Sequence, residues 1–360
     1  MALGRPVAPG HPVALGRPVA PGHPVHAFGD RPLRIAFAGA GAISGFHLTG
    51  WQQMANCQIV AICDPLVEKA QAQAQAFGIP AVYADFDTML SQVKPDAVDI
   101  ATPVGSHAPL TMIAADRGVH VSCQKPVTPT VKEAQKLIKY VGERVRFMVH
   151  EHYRFRPHYQ DVKRWLVEGR IGDIRHARMT TRSSSLISLT DEPPPLLKRQ
   201  PYMQHFTRLA IFEIFIHQLD AMRALLGPLS VLQAGVGKTN PILAGEDLAH
   251  IVLRGGNGMT AVLDGNVSAP GYPPLPTDRL EIVGAKGTLV YDADWLYLVG
   301  SSEAPLKYDL VKNYQICWTE CIRSFVHGLR TGAAFPTDRL DNLETLKLME
   351  ASYKAAGVKF

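Results

Sequence analysis

Short apolar runs alternate with helix-forming segments over the first half of the chain. The run LRIAFA at 33–38 has the length of one buried strand. Further apolar runs of this kind are CQIVAIC, AVDIATPV, VHVSC and RFMVHEHYRF. Residues rich in Ala, Gln, Glu and Lys lie between several of these runs, and Gly78 and Gly118 supply stop signals. Strands that alternate with helices predict an α/β chain with a parallel, doubly wound sheet.

The second half has a different pattern. A helix is predicted from Tyr159 to Glu168, and Gly169 ends it. Strand-like runs then dominate, and successive strands without intervening helices predict an antiparallel sheet. These runs are HARMTT, SVLQAGV, LAHIVL, MTAVLDGNV, DRLEIVG, TLVYDA and WLYLVG. Residues 183–208 show no periodicity and are interpreted as a long loop, either a lid or an inert surface segment.

A glycine-rich turn follows the first strand. Gly39 and Gly41 break the apolar run, Ser44 holds the third small position, and helix-compatible residues extend from Ile43 to Met54. A strand, such a turn and a helix form the arrangement that binds a dinucleotide pyrophosphate at the helix N-terminus. Asp64 ends the second strand, where a ribose-binding carboxylate is expected; it is also placed to cap the segment beginning at Pro65.

Two further strand ends carry polar residues. Thr102-Pro103 and Gln124-Lys125-Pro126 follow the third and fourth runs, and ligands of doubly wound sheets bind beyond the carboxyl ends of the strands. Ser106 is predicted to cap a helix from His107 to Arg117. Thr130 and Glu133 are predicted to form a capping box for a helix ending near Val141.

The stretch 211–227, IFEIFIHQLDAMRALLG, is apolar on nearly every side and predicts a buried helix. Glu213, His217 and Asp220 follow spacings of four and three, which place them on one face. Burying these groups without partners is costly, so the face either borders a pocket or forms a self-satisfied cluster in which His217 bonds both carboxylates.

Composition narrows the possible functions. The net charge of +5 is spread without a basic block, so nucleic-acid binding is not expected, and no apolar run reaches the length of a membrane span. Five cysteines without close pairing indicate reduced thiols and a cytoplasmic protein. Residues 2–13 recur unchanged as 14–25, and their prolines and glycines predict a disordered tail over 1–30.

The ordered series GAGAIS, CDP, ATPVGSH, GVHVSCQKP and EHYRFRP resembles the glucose–fructose oxidoreductase and inositol dehydrogenase family, Gfo/Idh/MocA. The resemblance covers the chain from about Leu33 to its C-terminus. It implies a Rossmann domain at 31–150 and a substrate-binding α+β domain at 151–360 with a large open, mostly antiparallel sheet, the C-terminal helices packing back on the first domain. Departures from the family pattern are Gln124 for Glu, His152 for Asn, Glu213 for Asp and Phe215 for Gly; the last two suggest an altered substrate pocket.

The resemblance also implies roles for particular residues. Lys125 and His217 match the functional lysine and the catalytic histidine, with Glu213 orienting His217 or holding a substrate hydroxyl. Tyr153, Arg154 and Asp220 are expected at the substrate. The residues expected at the cofactor are Gly39, Gly41, Ala42, Ile43, Ser44, Asp64, Thr102, Pro103, His107, Gln124 and Lys125.

These roles imply an NAD(P)-dependent oxidoreductase that transfers a hydride between a sugar or polyol and the nicotinamide. Asp64, with no arginine in Pro65-Leu66-Val67, favours NAD, with NADP as the alternative. A cofactor-sensing regulator without turnover and a dihydrodiol-type dehydrogenase with a less polar substrate are alternative functions. Glu213 and His217 also have metal-ligand spacing, but no cysteine pair accompanies them and no metal is expected. A homo-oligomer through the C-terminal sheet is expected.

Overall fold

The structure is a computed structural model that describes residues 28–188 and 191–359, so the repeat at 2–25 lies outside the described residues. Its first sheet has six parallel strands in the spatial order 3-2-1-4-5-6, as the alternating pattern predicts. The order reverses between β1 and β4, which places a crevice beyond their carboxyl ends. The strands are Leu33–Ala38 (β1), Cys57–Cys63 (β2), Val82–Tyr83 (β3), Ala97–Ile100 (β4), His120–Gln124 (β5) and Phe147–His150 (β6).

Five helices connect these strands. Thr130 caps the fifth helix by accepting a hydrogen bond from the amide of Glu133 at 3.2 Å. The predicted cap at Ser106 is wrong, because the fourth helix begins at Val104 and the Ser106 hydroxyl instead donates to Thr102 and to the carbonyl of Pro103. The helices are Ser44–Gln52 (α1), Val67–Phe77 (α2), Phe86–Val93 (α3), Val104–Asp116 (α4) and Val131–Val141 (α5).

The second sheet has eight strands in the order 14-13-12-11-7-10-9-8. All neighbours are antiparallel except β7 and β10, which run parallel at the centre. Every predicted strand of this half is present, and only the two-residue β14 was not anticipated. The strands are Ile174–Arg182 (β7), Leu229–Gly237 (β8), Leu248–Gly255 (β9), Thr260–Asn266 (β10), Thr277–Gly284 (β11), Thr288–Asp292 (β12), Trp295–Leu298 (β13) and Leu306–Lys307 (β14).

The helices of the second half are Pro157–Val167 (α6), Pro195–Arg199 (α7), Ile216–Leu226 (α8), Leu310–Thr331 (α9) and Arg339–Ala355 (α10), with short 3-10 turns at Tyr153–Phe155 and Pro201–His205. None of the helices in the described part of the chain has the length and apolar composition that crossing a bilayer requires.

The stretch 211–227 is not one regular α-helix. Ala210–Phe215 form a π-helical turn, and α8 begins only at Ile216. The carboxylate of Glu246 accepts hydrogen bonds from the amides of Leu209 and Ile211, at 3.1 and 3.0 Å. These bonds satisfy amides at the start of the turn, which a helix otherwise leaves without partners.

Helix α9 completes the core of the first half. Ile322 and Phe325 belong to the same buried cluster as Leu33 and Phe37 of β1. Added atoms at Gly50 of α1 would lie 2.7 Å from the Ile322 side chain, so α1 and α9 pack closely.

The packed part of the chain begins before Arg31. Phe28 packs against this same cluster, and the carbonyl of Gly29 accepts a hydrogen bond from Arg330 at 3.1 Å. The predicted tail over 1–30 is therefore wrong for its last three residues, because Phe28 finds an apolar surface that the proline-rich composition does not indicate.

Candidate active site

A cavity of about 340 Å³ lies between the carboxyl edge of the parallel sheet and the second half of the chain. Of the predicted strand ends, those that carry Thr102 and Gln124-Lys125 contribute polar groups to it, whereas Asp64 does not line it. Residues 195–206, in the stretch predicted to be a lid or a surface loop, form part of its wall. The predicted site residues that line it are Ile43, Thr102, Pro103, His107, Gln124, Lys125, Tyr153, Glu213 and His217.

The glycine-rich turn has the shape that a pyrophosphate needs. Gly39 has a φ of +102°, and a Cβ there would lie 2.4 Å from the carbonyl oxygen of Ala101, so only glycine fits. A Cβ at Gly41 would meet nothing within 4 Å, so the backbone there borders open space. Helix α1 has no side-chain cap at its N-terminus, which leaves amide donors for an anion. The turn therefore fits the phosphates of NAD.

Ser44 and Asp64 hold this turn in place. The buried Ser44 hydroxyl donates to the carbonyl of Gly41 at 2.7 Å. The Asp64 carboxylate accepts hydrogen bonds from the amide of Ala40 at 2.8 Å and from the amide of Leu66 at 2.9 Å. The capping interpretation of Asp64 is thus correct in part, because the carboxylate bonds the amide of Leu66 in the turn before α2. Asp64 also bonds the glycine-rich turn, near the position where a ribose is expected.

His107 joins the ends of two strands. Its ring is buried, with Nδ1 2.8 Å from the carbonyl oxygen of Pro126 and Nε2 2.7 Å from that of Thr102. The histidine therefore fixes the loop after β4 against the loop after β5, and both loops line the cavity.

Gln124 belongs to a buried hydrogen-bonded chain. Its amide nitrogen lies 2.8 Å from Nε2 of His47, whose Nδ1 lies 2.7 Å from the Asp99 carboxylate. The neutral amide can donate to Nε2 while Nδ1–H donates to Asp99, so each group in the chain has a matching partner. The Gln124 oxygen then accepts from the amide of Lys125 at 3.1 Å and holds the backbone that carries the lysine.

Lys125 is fixed by Glu213. Its Nζ donates to the backbone oxygen of Glu213 at 2.8 Å and to the Glu213 carboxylate at 3.1 Å. Two of the three N–H donors are occupied in this way, and the third is available for a group bound in the cavity. The π-helical turn carries Glu213, and such turns are frequent at functional sites.

His217 pairs with Glu151, for which the sequence predicts no role. Nδ1 of His217 lies 2.7 Å from Oε1 of Glu151, so Glu213 does not orient this histidine and the self-satisfied cluster of the helix is not formed. Burial, reinforced by the cations of Lys125 and Arg156, holds the pKa of His217 well below its usual range. Burial raises the pKa of Glu151 to about 7. The imidazole is therefore neutral and can accept a proton.

Aromatic rings enclose His217. The Tyr153 ring stacks on it with centroids 4.4 Å apart, and the ring of His152 lies 5.0 Å away. His152 in turn stacks on Trp318 at 3.8 Å. These contacts exclude water from one side of the imidazole and fix its orientation.

Arg154 and Asp220 lie behind the cavity and do not line it. Arg154 makes two hydrogen bonds to the buried Asp220 carboxylate, at 2.7 and 2.6 Å, and a third to Asp341 at 2.7 Å. The geometry does not support the predicted contact of both residues with substrate, because each satisfies the other's charge in the interior. They join α8 to α10 instead.

Phe215 does not line the cavity either. The ring is fully buried and packs over Gly265 of β10, where an added Cβ would lie 2.3 Å from its Cζ atom. Its position in the motif predicts that Phe215 alters the substrate pocket. The structure instead places its ring against the sheet, outside the cavity lining.

Two carboxylates important to this geometry have no signal in the sequence. Glu151 lies within EHYRFRP, but its partner is 66 residues away, and Glu246 reaches the π-helical turn from a loop. Only contacts distant in sequence identify these two carboxylates.

Comparison with known proteins finds matches to both halves of the chain. Residues 33–152 match the family model described as an oxidoreductase family with an NAD-binding Rossmann fold, and residues 159–290 match the GFO/IDH/MocA C-terminal domain. A D-apiose dehydrogenase of Paraburkholderia graminis is 34% identical, over 89% of this chain and 87% of the relative. An inositol 2-dehydrogenase of Rhizobium meliloti is 26% identical, over 91% and 98% of the two chains.

Among solved structures, an oxidoreductase from Agrobacterium radiobacter, in complex with NAD+, L-tartaric acid and magnesium, is similar to this chain with a TM-score of 0.82 and 30% identity. The match covers 90% of this chain and 96% of that one.

Proposed function

The chain belongs to the Gfo/Idh/MocA oxidoreductase family, and we propose that it is an NAD-dependent dehydrogenase that oxidises a secondary alcohol or hemiacetal carbon of a sugar or polyol. The convergence of Lys125 and His217 on one cavity beside the glycine-rich turn carries the proposal. Oxidation of an alcohol releases a hydride, which NAD would take, and a proton, which the neutral imidazole can accept, while the ammonium group stabilises negative charge on the oxygen.

Each group has a defined part in the reaction. His217 accepts the hydroxyl proton at Nε2, because Nδ1–H donates to Glu151. The free N–H of Lys125 donates to the same oxygen and stabilises its developing negative charge. Glu213 holds the ammonium group at the cavity wall. NAD, when bound, supplies the nicotinamide carbon that takes the hydride.

The Glu151 carboxylate supports this proton transfer. When ionised, the carboxylate 2.7 Å from Nδ1 stabilises the imidazolium that forms when Nε2 takes the proton. Glu151 acts through His217 and is a positioning residue. We infer that Tyr153 borders the substrate beside the imidazole, since its ring stacks on His217 and lines the cavity.

The substrate is proposed to be a small neutral sugar or polyol. The relative in Paraburkholderia graminis is a D-apiose dehydrogenase, and its similarity extends over most of both chains. The charged Lys125 and Glu213 beside His217, all lining the cavity, also favour a substrate with several hydroxyl groups over an apolar dihydrodiol.

A cofactor-sensing regulator of the same fold has less support. Such a protein needs the glycine-rich turn but has no need of a neutral, buried proton acceptor held next to a lysine. The burial of these ionisable side chains, His217, Glu151 and Lys125, therefore favours an enzyme over a regulator.

We infer further that two copies of the chain associate through the eight-stranded sheet. Side chains on its solvent face include Arg254 on β9 and Arg279 and Glu281 on β11, and their mixed charges suit a polar pairing of two identical faces. Light scattering coupled to size-exclusion chromatography tests this by measuring the molar mass in solution.

A substrate screen tests the proposed activity. The full chain is incubated with NAD and each of a panel of aldoses, ketoses and inositols that includes D-apiose and myo-inositol, and reduced cofactor is followed by absorbance. We expect turnover with at least one neutral sugar and loss of about a hundredfold or more in kcat for His217→Gln. Cofactor binding without turnover on any member, or a folded His217→Gln variant with near-normal kcat, would contradict the proposal.

A further inference from the structure

Glu151, His152 and His217 form a compact group of possible metal ligands. One ligand atom from each residue lies within 4.8 Å of the others, and all three residues are buried. They come from the loop after β6 and from α8, so the group joins the two halves of the chain.

The group contains buried polar atoms without partners. Among the described residues, neither ring nitrogen of His152 has a hydrogen-bond partner, and the same holds for Oε2 of Glu151. Leaving such atoms unsatisfied in the interior destabilises the fold. A cation that binds both imidazole nitrogen and carboxylate oxygen gives one polar atom of each of the three residues a partner.

We propose that Glu151, His152 and His217 bind a divalent transition-metal ion of the Zn²⁺ type. Two imidazoles and one carboxylate form a known ligand set for such ions, and they leave a fourth position open. His152 and His217 line the cavity, so an ion can reach the group from solvent and the open position can face the bound substrate.

The surroundings restrict the ligands before binding. Trp318 stacks on His152 at 3.8 Å and Tyr153 stacks on His217 at 4.4 Å, so both rings have fixed planes. The amide of Tyr153 donates to Oε1 of Glu151 at 3.0 Å. A hydrogen bond of this last kind, which orients a ligating carboxylate, supports metal affinity in other proteins.

A bound ion excludes the hydrogen bond between His217 and Glu151. Ligand atoms about 2.0–2.2 Å from a tetrahedral ion are about 3.3–3.6 Å apart, whereas Nδ1 and Oε1 are now 2.7 Å apart. Placing an ion between them therefore widens this contact. The other candidate group, His47, Asp99 and His150, is less suited, because the oxygens of Asp99 already accept bonds from His47, Trp51 and Ser122.

Metal binding also blocks the proposed proton transfer. A neutral imidazole has one lone pair, and a lone pair given to a metal ion cannot accept a proton. This holds whichever ring nitrogen of His217 binds the ion. The ion is therefore an inhibitor of the dehydrogenase, and this consequence rests on the proposed function, whereas binding itself does not.

Direct binding tests the site without reference to activity. Equilibrium dialysis of the full chain against Zn²⁺ measures stoichiometry, and Co²⁺ absorption in the visible region reports the ligand geometry. We expect one equivalent bound by the wild-type chain and binding at least tenfold weaker in His152→Asn and Glu151→Gln. His158→Asn is the matched control, because His158 is also buried with no partner for either ring nitrogen within the described chain, yet it stacks on Tyr291, away from the group.

The outcomes separate the proposals. The metal site would be overturned if the wild-type chain bound no Zn²⁺. It would also be overturned if His152→Asn and Glu151→Gln bound Zn²⁺ as tightly as wild type, with unchanged melting curves. Equal loss in His158→Asn would also overturn it. With a substrate identified, Zn²⁺ should inhibit the wild-type chain reversibly, with activity restored by a chelator. Binding without any turnover in the sugar screen would retain the metal site and contradict the dehydrogenase function.

Discussion

His217 and Glu151 are 66 residues apart in the chain, yet Nδ1 of one lies 2.7 Å from Oε1 of the other. The hydrogen bond fixes the tautomer of the imidazole and points its Nε2 lone pair away from the carboxylate. Glu151 also accepts a bond from the amide of Tyr153 at 3.0 Å, so its own position is fixed by the backbone. The proton acceptor is thereby oriented before substrate arrives.

Glu151→Gln should lower kcat at least about tenfold, because an amide keeps the hydrogen bond and loses the charge that stabilises imidazolium. Asp247→Asn is the control, since this buried carboxylate bonds Thr239 and Asn240 in a loop that does not line the cavity. The control should lose stability but keep kcat. Steady-state kinetics beside melting curves distinguishes the two, and equal kcat in wild type and Glu151→Gln would refute the positioning role.

Lys125→Met should lower kcat by about a hundredfold, because it removes the donor to the reacting oxygen. NAD affinity, measured by fluorescence titration, should change by less than about threefold, since the glycine-rich turn holds the phosphates. Lys139→Met, on the exposed face of α5, should alter neither quantity. A Lys125→Met variant that loses affinity and keeps kcat would assign the lysine to cofactor binding alone.

Asp64→Ser should reduce the preference for NAD over NADP at least about tenfold, because the carboxylate repels a 2′-phosphate. Affinity for NAD should also fall, since Asp64 holds the amide of Ala40 in the glycine-rich turn. Glu68→Gln removes a nearby exposed carboxylate on α2 without touching the turn, and it should leave the ratio unchanged. The measurement is kcat/KM with both cofactors; a wild-type preference for NADP would be inconsistent with this role.

Gly265→Ala should destabilise the fold by about 1–3 kcal/mol, because its Cβ would lie 2.3 Å from the ring of the buried Phe215. Gly256→Ala is the matched control on the neighbouring turn. A Cβ there meets nothing within 4 Å and its φ is not positive. Thermal unfolding of the two variants compares them, and equal melting temperatures would show that the sheet adjusts to the added methyl group.

Asp96 should contribute stability that depends on pH. Burial raises the pKa of Asp96, but hydrogen bonds from Arg31 and from the amide of Arg34 outweigh burial and lower the pKa below its usual value. A carboxyl group with a lowered folded pKa stabilises the fold above its unfolded pKa of about 3.9, and this stabilisation is lost as the pH falls through the folded pKa.

Asp96→Asn should therefore cost about 1 kcal/mol at pH 7, and the difference from wild type should shrink below about pH 4. Denaturant unfolding at pH 7, 5 and 3.5 measures it. Asp173→Asn, an exposed carboxylate, should show no such pH dependence. A constant difference for Asp96→Asn across the pH range would exclude the proposed ion pair as its cause.

The repeating patterns of the sequence predict regular structure well. Apolar runs and glycine stops located β1, β2 and every strand of the second sheet that has more than two residues, because burial of one strand depends on local composition. Gly39 and Gly41 predicted the turn, since its geometry depends on a few consecutive residues. The motif series predicts one site for Lys125, Glu213 and His217, and all three line the same cavity.

Partners distant in the chain were not predictable from spacing. A regular helix over 211–227 would have put Glu213, His217 and Asp220 on one face, but Glu246 supports a π-helical turn that changes the phase. Asp220 then pairs with Arg154 inside the protein. Periodicity reports which residues are buried and not which polar partner each one meets.

The shared core of β1 and α9 has a consequence for synthesis of the protein. Ile322 and Phe325 of α9 cover the apolar face that Leu33 and Phe37 form on β1. These two α9 residues leave the ribosome much later than β1 does. At 5–20 residues per second, the nascent first half waits on the order of tens of seconds for its last core residues. The nucleotide-binding half therefore cannot finish folding as an independent unit during translation, and a chain truncated before α9 would leave this apolar face exposed to aggregation.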